Sequence, residues 1–198
     1  MALLNFLGAI RQVTGSCYLI ESRDGAKVLL ECGMRQGRRE DEEGNSSGFP
    51  FNPAELSAVV VSHAHIDHTG LLPKLVADGF RGPIFATEVT CDLMELMLLD
   101  SAHIQEKDAE WENKWRLRQG KAAVKPLYTV ADTERMLGQR QALNYGQPTE
   151  IAPGVELTYH EAGHILGSAI VELVVQDHHI SRRLVFSGDL GNACSPLM

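Results

Sequence analysis

Six consecutive residues restrict this chain more than any other part of it. His63-Ala-His-Ile-Asp-His68 gathers three imidazoles and a carboxylate directly after the run Ala58-Val-Val-Val-Ser62. That run is β-branched and uncharged, the pattern of a strand buried on both faces in a layered α/β arrangement. Polar side chains crowded at the end of a buried strand are costly unless they have partners, and a shared cation would satisfy all of them. His63 and His65, two apart, can turn toward one ion. Asp67 and His68 project from the next turn toward a second. Mixed imidazole and carboxylate donors suit Zn²⁺, and Mn²⁺ or Fe²⁺ are compatible by ligand type.

Such a site needs further donors. Gly163-His164-Ile-Leu-Gly167-Ser168 sets a histidine between glycines ahead of a strand, where the backbone can approach closely. Ser187-Gly188-Asp189-Leu-Gly191 sets an aspartate at the end of the apolar strand over residues 184–187. Alone, each is a weak signal, since an aspartate there is commonly a turn former. In this order after HAHIDH they are specific. His103 and His160 read as structural residues, and His178-His179 as an exposed pair in a polar turn.

The remaining pattern predicts strands over residues 3–7, 16–22 and 27–31, split by Thr14-Gly15 and Asp24-Gly25 turns. A polar loop follows over residues 33–48, with a basic cluster (Arg35, Arg38, Arg39) beside an acidic one from Glu40 to Glu43, and reads as solvated surface. Thr69 is expected to open a helix with Pro73 in its first turn. A long helix should follow Thr87, with Val89, Leu93, Leu96 and Met97 as its apolar face and Ile104, Trp111 and Trp115 continuing it. Trp111 and Trp115, four apart, read as packing partners rather than as a base-stacking pair. A second helix is expected over residues 130–139, then strands over 155–160 and 169–175. Strands, helices and strands again suggest two sheet layers with helices outside, in one domain spanning residues 1–198.

Composition narrows the class. An apolar fraction of 44% supports a real core. No run approaches the roughly 18 uncharged apolar residues of a membrane span, and the start lacks the basic region of a secretory signal. Cys17, Cys32, Cys91 and Cys194 form no CxxC pair and read as buried thiols in a reducing cytoplasm. Eighteen basic against 26 acidic side chains leave a net charge of −8, which is awkward for a nucleic-acid binder. Two Zn²⁺ ions would add four positive charges where phosphate arrives.

HAHIDH followed by the GH motif and Ser187-Gly-Asp-Leu-Gly191 resembles the metallo-β-lactamase superfamily. Val13-Thr-Gly-Ser-Cys17, Leu30-Glu-Cys-Gly-Met34, Ser101-Ala-His-Ile-Gln-Glu106, Pro126-Leu-Tyr-Thr129 and Gly163–Ala169 resemble a narrower group, the β-CASP nucleases. The resemblance runs from Phe6 to Leu197. It implies an α/β, four-layer αβ/βα sandwich and a two-zinc hydrolase of RNA phosphodiester bonds, with Mn²⁺ as an alternative metal. By it, His63, His65 and His164 hold one zinc and Asp67 with His68 the other. Asp189 bridges both, and Asp67 also orients or deprotonates the nucleophile.

Two departures from the family pattern stand out. Glu31 occupies a position where the family usually has aspartate, steadying the ligands from behind. The sequence also reaches Met198 soon after SGDLGN, so the resemblance implies a C-terminally truncated, N-terminal portion. A β-CASP domain, a seventh ligand histidine and the histidine that protonates the leaving oxygen would lie beyond it. Single-stranded RNA is the implied partner, DNA is not excluded, and no membrane is expected. The strands over 171–175 and 184–186 are expected to lack cover and to favour self-association. The competing readings are another lactamase-fold hydrolase of a small ester, thioester or lactam, and a catalytically silent zinc-binding module.

Overall fold

The computed structural model describes residues 2–37, 43–177 and 180–192. Two sheets stack face to face, and helices cover the outside of the first. The first sheet runs β1 (Leu3–Phe6), β2 (Tyr18–Glu21), β3 (Lys27–Leu30), β4 (Ala58–Val60), β5 (Ile84–Thr87), β6 (Arg140–Leu143) in spatial order. Its first three strands are antiparallel, and β3 to β6 are parallel. The second sheet is antiparallel throughout, in the order β10 (Ile180–Phe186), β9 (Ala169–Asp177), β8 (Val155–Glu161), β7 (Thr149–Ala152).

The predicted buried strand is β4, with every residue inaccessible. Its alternation divides the core in two. Val59 joins Leu29, Ile84, Met94, Leu98 and Met136 beneath the helices, while Ala58 and Val60 join Val28, Leu30, Leu157, Val171 and Leu173 between the sheets. Tyr159, buried there, donates its hydroxyl to the Phe85 carbonyl at 2.8 Å. Val171, Leu173 and Val175 are therefore covered, contrary to expectation. The open part is β10, which pairs only with β9 among the described residues and leaves Val185 exposed. The outward residues of the second sheet, including Glu156, Thr158 and His160, are exposed or partly exposed. The described residues thus build helix, sheet and sheet, three layers of the expected four.

Among the described residues four α-helices follow: α1 (Ile66–Thr69), α2 (Leu72–Ala77), α3 (Glu88–Arg118) and α4 (Val130–Leu137). Thr69 closes α1 rather than opening a helix, because its hydroxyl donates back to the Ala64 and His65 carbonyls. Pro73 sits in the first turn of α2, where its missing N–H costs nothing. Helix α4 starts with a capping box, Thr129 and Asp132 each accepting from the other's backbone. Strands β5, β6 and β7 were not expected: four-residue runs carry too little periodicity to be read alone.

Helix α3 corrects the expected apolar face. Thr90, Cys91, Met94, Leu98 and Ala102 are buried, whereas Val89 and Leu96 are exposed. Leu93 and Met97 pack against the core only in part. Ile104, Trp111 and Trp115 do not extend a packed face, since all three are exposed. The segment around the 33–48 loop is less solvated than expected. Asn45 is buried, accepting from Arg35 N–H at 2.9 Å and donating to its carbonyl at 2.8 Å. Arg38, Arg39 and Glu40 to Glu42 lie outside the described residues, as do His178, His179 and Cys194.

Leu98→Ala is expected to cost about 2–5 kcal/mol of unfolding free energy by chemical denaturation, and Leu96→Ala no more than about 0.5. Equal losses would contradict this orientation of α3.

Candidate metal centre

The site forms where β3, β4 and β10 end and where β8 turns into β9. The HAHIDH segment leaves β4 and is clamped by backbone hydrogen bonds from two other segments. Ser16 N–H donates to the Asp67 carbonyl at 2.9 Å, Cys32 N–H to that of His68 at 2.9 Å, and Met34 N–H to that of Ile66 at 3.0 Å. The chains come so close that a Cβ on Gly33 would lie 1.7 Å from the Asp67 carbonyl oxygen. Only glycine fits there.

The other two segments are fixed in similar ways. Ser168 Oγ accepts from the N–H groups of His164 and Ile165 at 3.1 and 3.2 Å. The Gly167 carbonyl takes the hydroxyls of Thr87 and Thr90 at 2.6 and 2.8 Å, tying the His164 turn to the start of α3. Beyond β10, Gly191 N–H donates to the Ala162 carbonyl at 3.1 Å, and a Cβ there would meet the Gly163 carbonyl at 1.6 Å. This close approach carries Asp189 over the histidines.

All six predicted ligand residues converge. His63 Nε2 lies 3.1 Å from His65 Nδ1, and His164 Nε2 lies 3.3 Å from that same nitrogen. Asp189 Oδ2 stands 3.5 Å from His164 Nε2 and 3.8 Å from His63 Nε2. Its other oxygen, Oδ1, faces His68 Nε2 at 3.5 Å, and Asp67 Oδ2 approaches that nitrogen at 3.7 Å. His63, His65, His164 and Asp189 could together hold one ion. Asp67, His68 and the second Asp189 oxygen form an adjoining set.

Glu31, His63 and His68 also lie close enough to hold a metal, but the Glu31 oxygens are already engaged. Fully buried, Glu31 accepts Ser62 N–H on Oε1 at 2.6 Å and contacts His68 Nδ1 with Oε2 at 2.6 Å. The pairing directs His68 Nε2 toward Asp67 and Asp189. Glu31 itself has φ of +64°, a conformation that costs a non-glycine residue roughly 1–2 kcal/mol.

Electrostatics prepares the nitrogens as donors. Burial, then His68, His65 and His164, hold the His63 pKa down to about 2. Burial and His164 lower that of His65. Both rings are neutral near pH 7 and offer lone pairs. For His68 burial opposes the charge, yet Glu31, with Asp67 and Asp189, outweighs it and raises the pKa.

Ser62 was not recognised as part of the site. Its Oγ lies 3.0 Å from His63 Nδ1, so an Nδ1–H tautomer leaves Nε2 free to face Asp189. Its N–H holds Glu31 and its carbonyl accepts from Ala169 N–H at 2.8 Å. A lone serine at a strand end carries no distinguishing signal. His103 and His160 stand apart, His160 pairing with Glu172 at 3.0 Å on the open sheet face.

Comparison with known proteins places the fold. Residues 10–80 match the metallo-beta-lactamase superfamily model. This is a metallo-β-lactamase superfamily domain. The domain is 40% identical over 185 residues to Ribonuclease TTHA0252 of Thermus thermophilus, covering 93% of this chain and 37% of that protein. It is 36% identical over 193 residues to transcription termination factor FttA of Cenarchaeum symbiosum, covering 94% of this chain and 27% of that one. The chain thus spans well under half the length of either relative. Among solved structures, a B3 metallo-β-lactamase with an active-site glutamic acid superposes with a TM-score of 0.54 at 16% identity, over 93% of this chain and 59% of that one. The metallo-β-lactamase fold protein YhfI of Bacillus subtilis also gives 0.54 at 16% identity, over 95% and 62%. These two likenesses concern the fold alone. No described helix is long and apolar enough to cross a membrane.

Glu31→Gln is expected to destabilise this lactamase-fold domain by about 1–3 kcal/mol, because the amide turns an N–H toward either Ser62 N–H or His68. Denaturant titration measures this, and unchanged stability would mean that the carboxylate is not a structural acceptor.

Proposed function

We propose that this domain is the metal-carrying front part of a β-CASP-type ribonuclease, a two-zinc hydrolase of RNA phosphodiester bonds. The observation that carries the reading is the divided carboxylate of Asp189, with Oδ2 toward His63 and His164 and Oδ1 toward His68. A bridging ligand between two ions requires this disposition. The donors fit zinc: neutral imidazoles on one side, imidazole and carboxylate on the other. Mn²⁺ is compatible with the same set.

In this reading His63, His65 and His164 would hold one ion and Asp67 and His68 the other, with Asp189 available to both. Glu31 and Ser62 hold the rings in the orientation each ion needs. Two divalent ions there would neutralise charge on the scissile phosphate and lower the pKa of the attacking water. Asp67, beside His68, orients that water or takes its proton. The substrate assignment is supported by the ribonuclease among the relatives, with single-stranded RNA the substrate class. The free thiols of Cys17, Cys32 and Cys91 fit a reducing, cytoplasmic setting. Because the named relatives are much longer, the activity is assigned to the larger protein. By the resemblance, the acid that protonates the leaving oxygen lies beyond residue 198.

Elemental analysis should find zinc retained by His63, His65, His164 and Asp189, with a second ion, held by fewer donors, removed more readily on dialysis. Protein that retains no transition metal and takes none up on titration would sink the metal reading. In a gel assay on labelled single-stranded RNA with Zn²⁺ or Mn²⁺, the full-length protein should cleave and its Asp67→Ala, Asp189→Ala double variant should not. Residues 1–198 alone should be slower by about 10²–10⁴-fold, the typical contribution of a positioned acid. Cleavage that survives the double variant would remove these residues from the chemistry.

A further inference from the structure

The outer half of α3 has no role in the core or in the metal centre, and its surface is unusual for a helix of an acidic protein. Trp111 and Trp115 are 66% and 53% exposed, with ring centroids 6.4 Å apart. Arg118 lies over the Trp115 ring at 5.8 Å. Residues 107–125 carry Lys107, Lys114, Arg116, Arg118, Lys121 and Lys125 against Asp108, Glu110 and Glu112, a local charge of +3 in a chain of −8. Lys107 pairs with Glu110 and Arg116 with Glu112. Lys114, Arg118, Lys121 and Lys125 have no carboxylate partner among the ion pairs of the described residues.

Single exposed apolar residues are ordinary. Two adjacent tryptophans presented to solvent beside a cluster of free cations are not accounted for by packing. That combination is the surface on which single-stranded nucleic acid is held, bases stacking on aromatic faces and phosphates meeting cations. A second copy of the chain, with its net negative charge, would also be drawn to the cations, but the paired aromatic faces favour bases. The position suits a strand that enters the metal centre. A groove of about 1010 Å³ lies along α3, from Ile66 and Met97 beside the HAHIDH segment to Arg116 and Lys125; Asp100, Asp108 and Glu112 also line it, and the two tryptophans stand outside it. Trp111 lies about 20 Å along the helix from Met97, a span of several nucleotides.

We propose that the outer half of α3 is a stacking platform for single-stranded RNA, with Trp111 and Trp115 taking bases and Lys114, Arg118 and Lys121 taking phosphates. Naming RNA rests on the nuclease reading above; the platform itself rests on the helix surface.

The chain contains two tryptophans, so its intrinsic tryptophan fluorescence reports on this surface alone. The test titrates the full chain, in EDTA so that no cleavage occurs, with a 20-nucleotide oligo(U). Saturable quenching is expected, weakening as salt rises. Fluorescence anisotropy of labelled oligo(U) should show affinity falling roughly 5- to 100-fold for Trp111→Ala or Trp115→Ala, and falling also for the Lys114→Glu, Arg118→Glu double variant. Circular dichroism matching the parent would show that these surface variants fold. Absence of quenching, or anisotropy unchanged in both sets of variants, overturns the proposal. So does emission that ignores RNA but shifts with protein concentration, which would assign the face to a second copy. Quenching by oligo(U) with no metal-dependent cleavage by the full-length protein would sink the nuclease reading and leave the platform standing. Cleavage without quenching would do the reverse.

Discussion

One buried carboxylate connects the fold to the site. Glu31 stands where β3 ends, accepts the N–H of Ser62 where β4 ends, and holds His68 at 2.6 Å. Two parallel strands and the last residue of the histidine segment are thereby fixed by the two oxygens of one side chain. A charge with no exposed surface is tolerated only when its hydrogen bonds are made, and both oxygens make them. Glu31 does so from a backbone with positive φ, a conformation uncommon for a residue with a side chain. Without that carboxylate, Nε2 of His68 would have no reason to face Asp67 and Asp189.

Around this anchor the polar groups are arranged so that unfavourable burial becomes donor capacity. His63 is inaccessible and crowded by other imidazoles, so it stays neutral. In an apolar core that would be a liability. Here nitrogens of three rings lie close to one another and to Asp189, an arrangement that a cation would stabilise. The glycines at 33 and 191 permit it, because the segments bearing Asp67 and Asp189 come closer to neighbouring backbone than any side chain would allow. The histidines sit at the end of two stacked sheets, and Asp189, half exposed, lies over them.

The sequence was most legible where local pattern and burial coincide. The uncharged run before HAHIDH and the strands β8 and β9 are written in residues next to one another. Strands β5 to β7 were not legible. Arg140-Gln-Ala-Leu143 is a strand because β5 offers it a parallel partner, not through any propensity of its own. The buried face of α3 departs from the expected one because small and polar residues, Thr90 and Ala102, complete it, while larger apolar ones, Val89 and Leu96, face outward.

Sequence alone determined the chemistry available: which side chains can donate to a metal, in which order, and that a buried strand would deliver the first four of them together. Such information is local, since residue type fixes the donor atom and spacing fixes which neighbours can turn the same way. Only tertiary structure decided how the donors divide, with one Asp189 oxygen on each side, His65 presenting Nδ1 and His63 and His164 presenting Nε2. It also decided that Glu31 stands behind His68 and that Trp111 and Trp115 face solvent. Each of these depends on contacts between segments that no nearby residues encode, and packing settles them only when both sheets and α3 have come together.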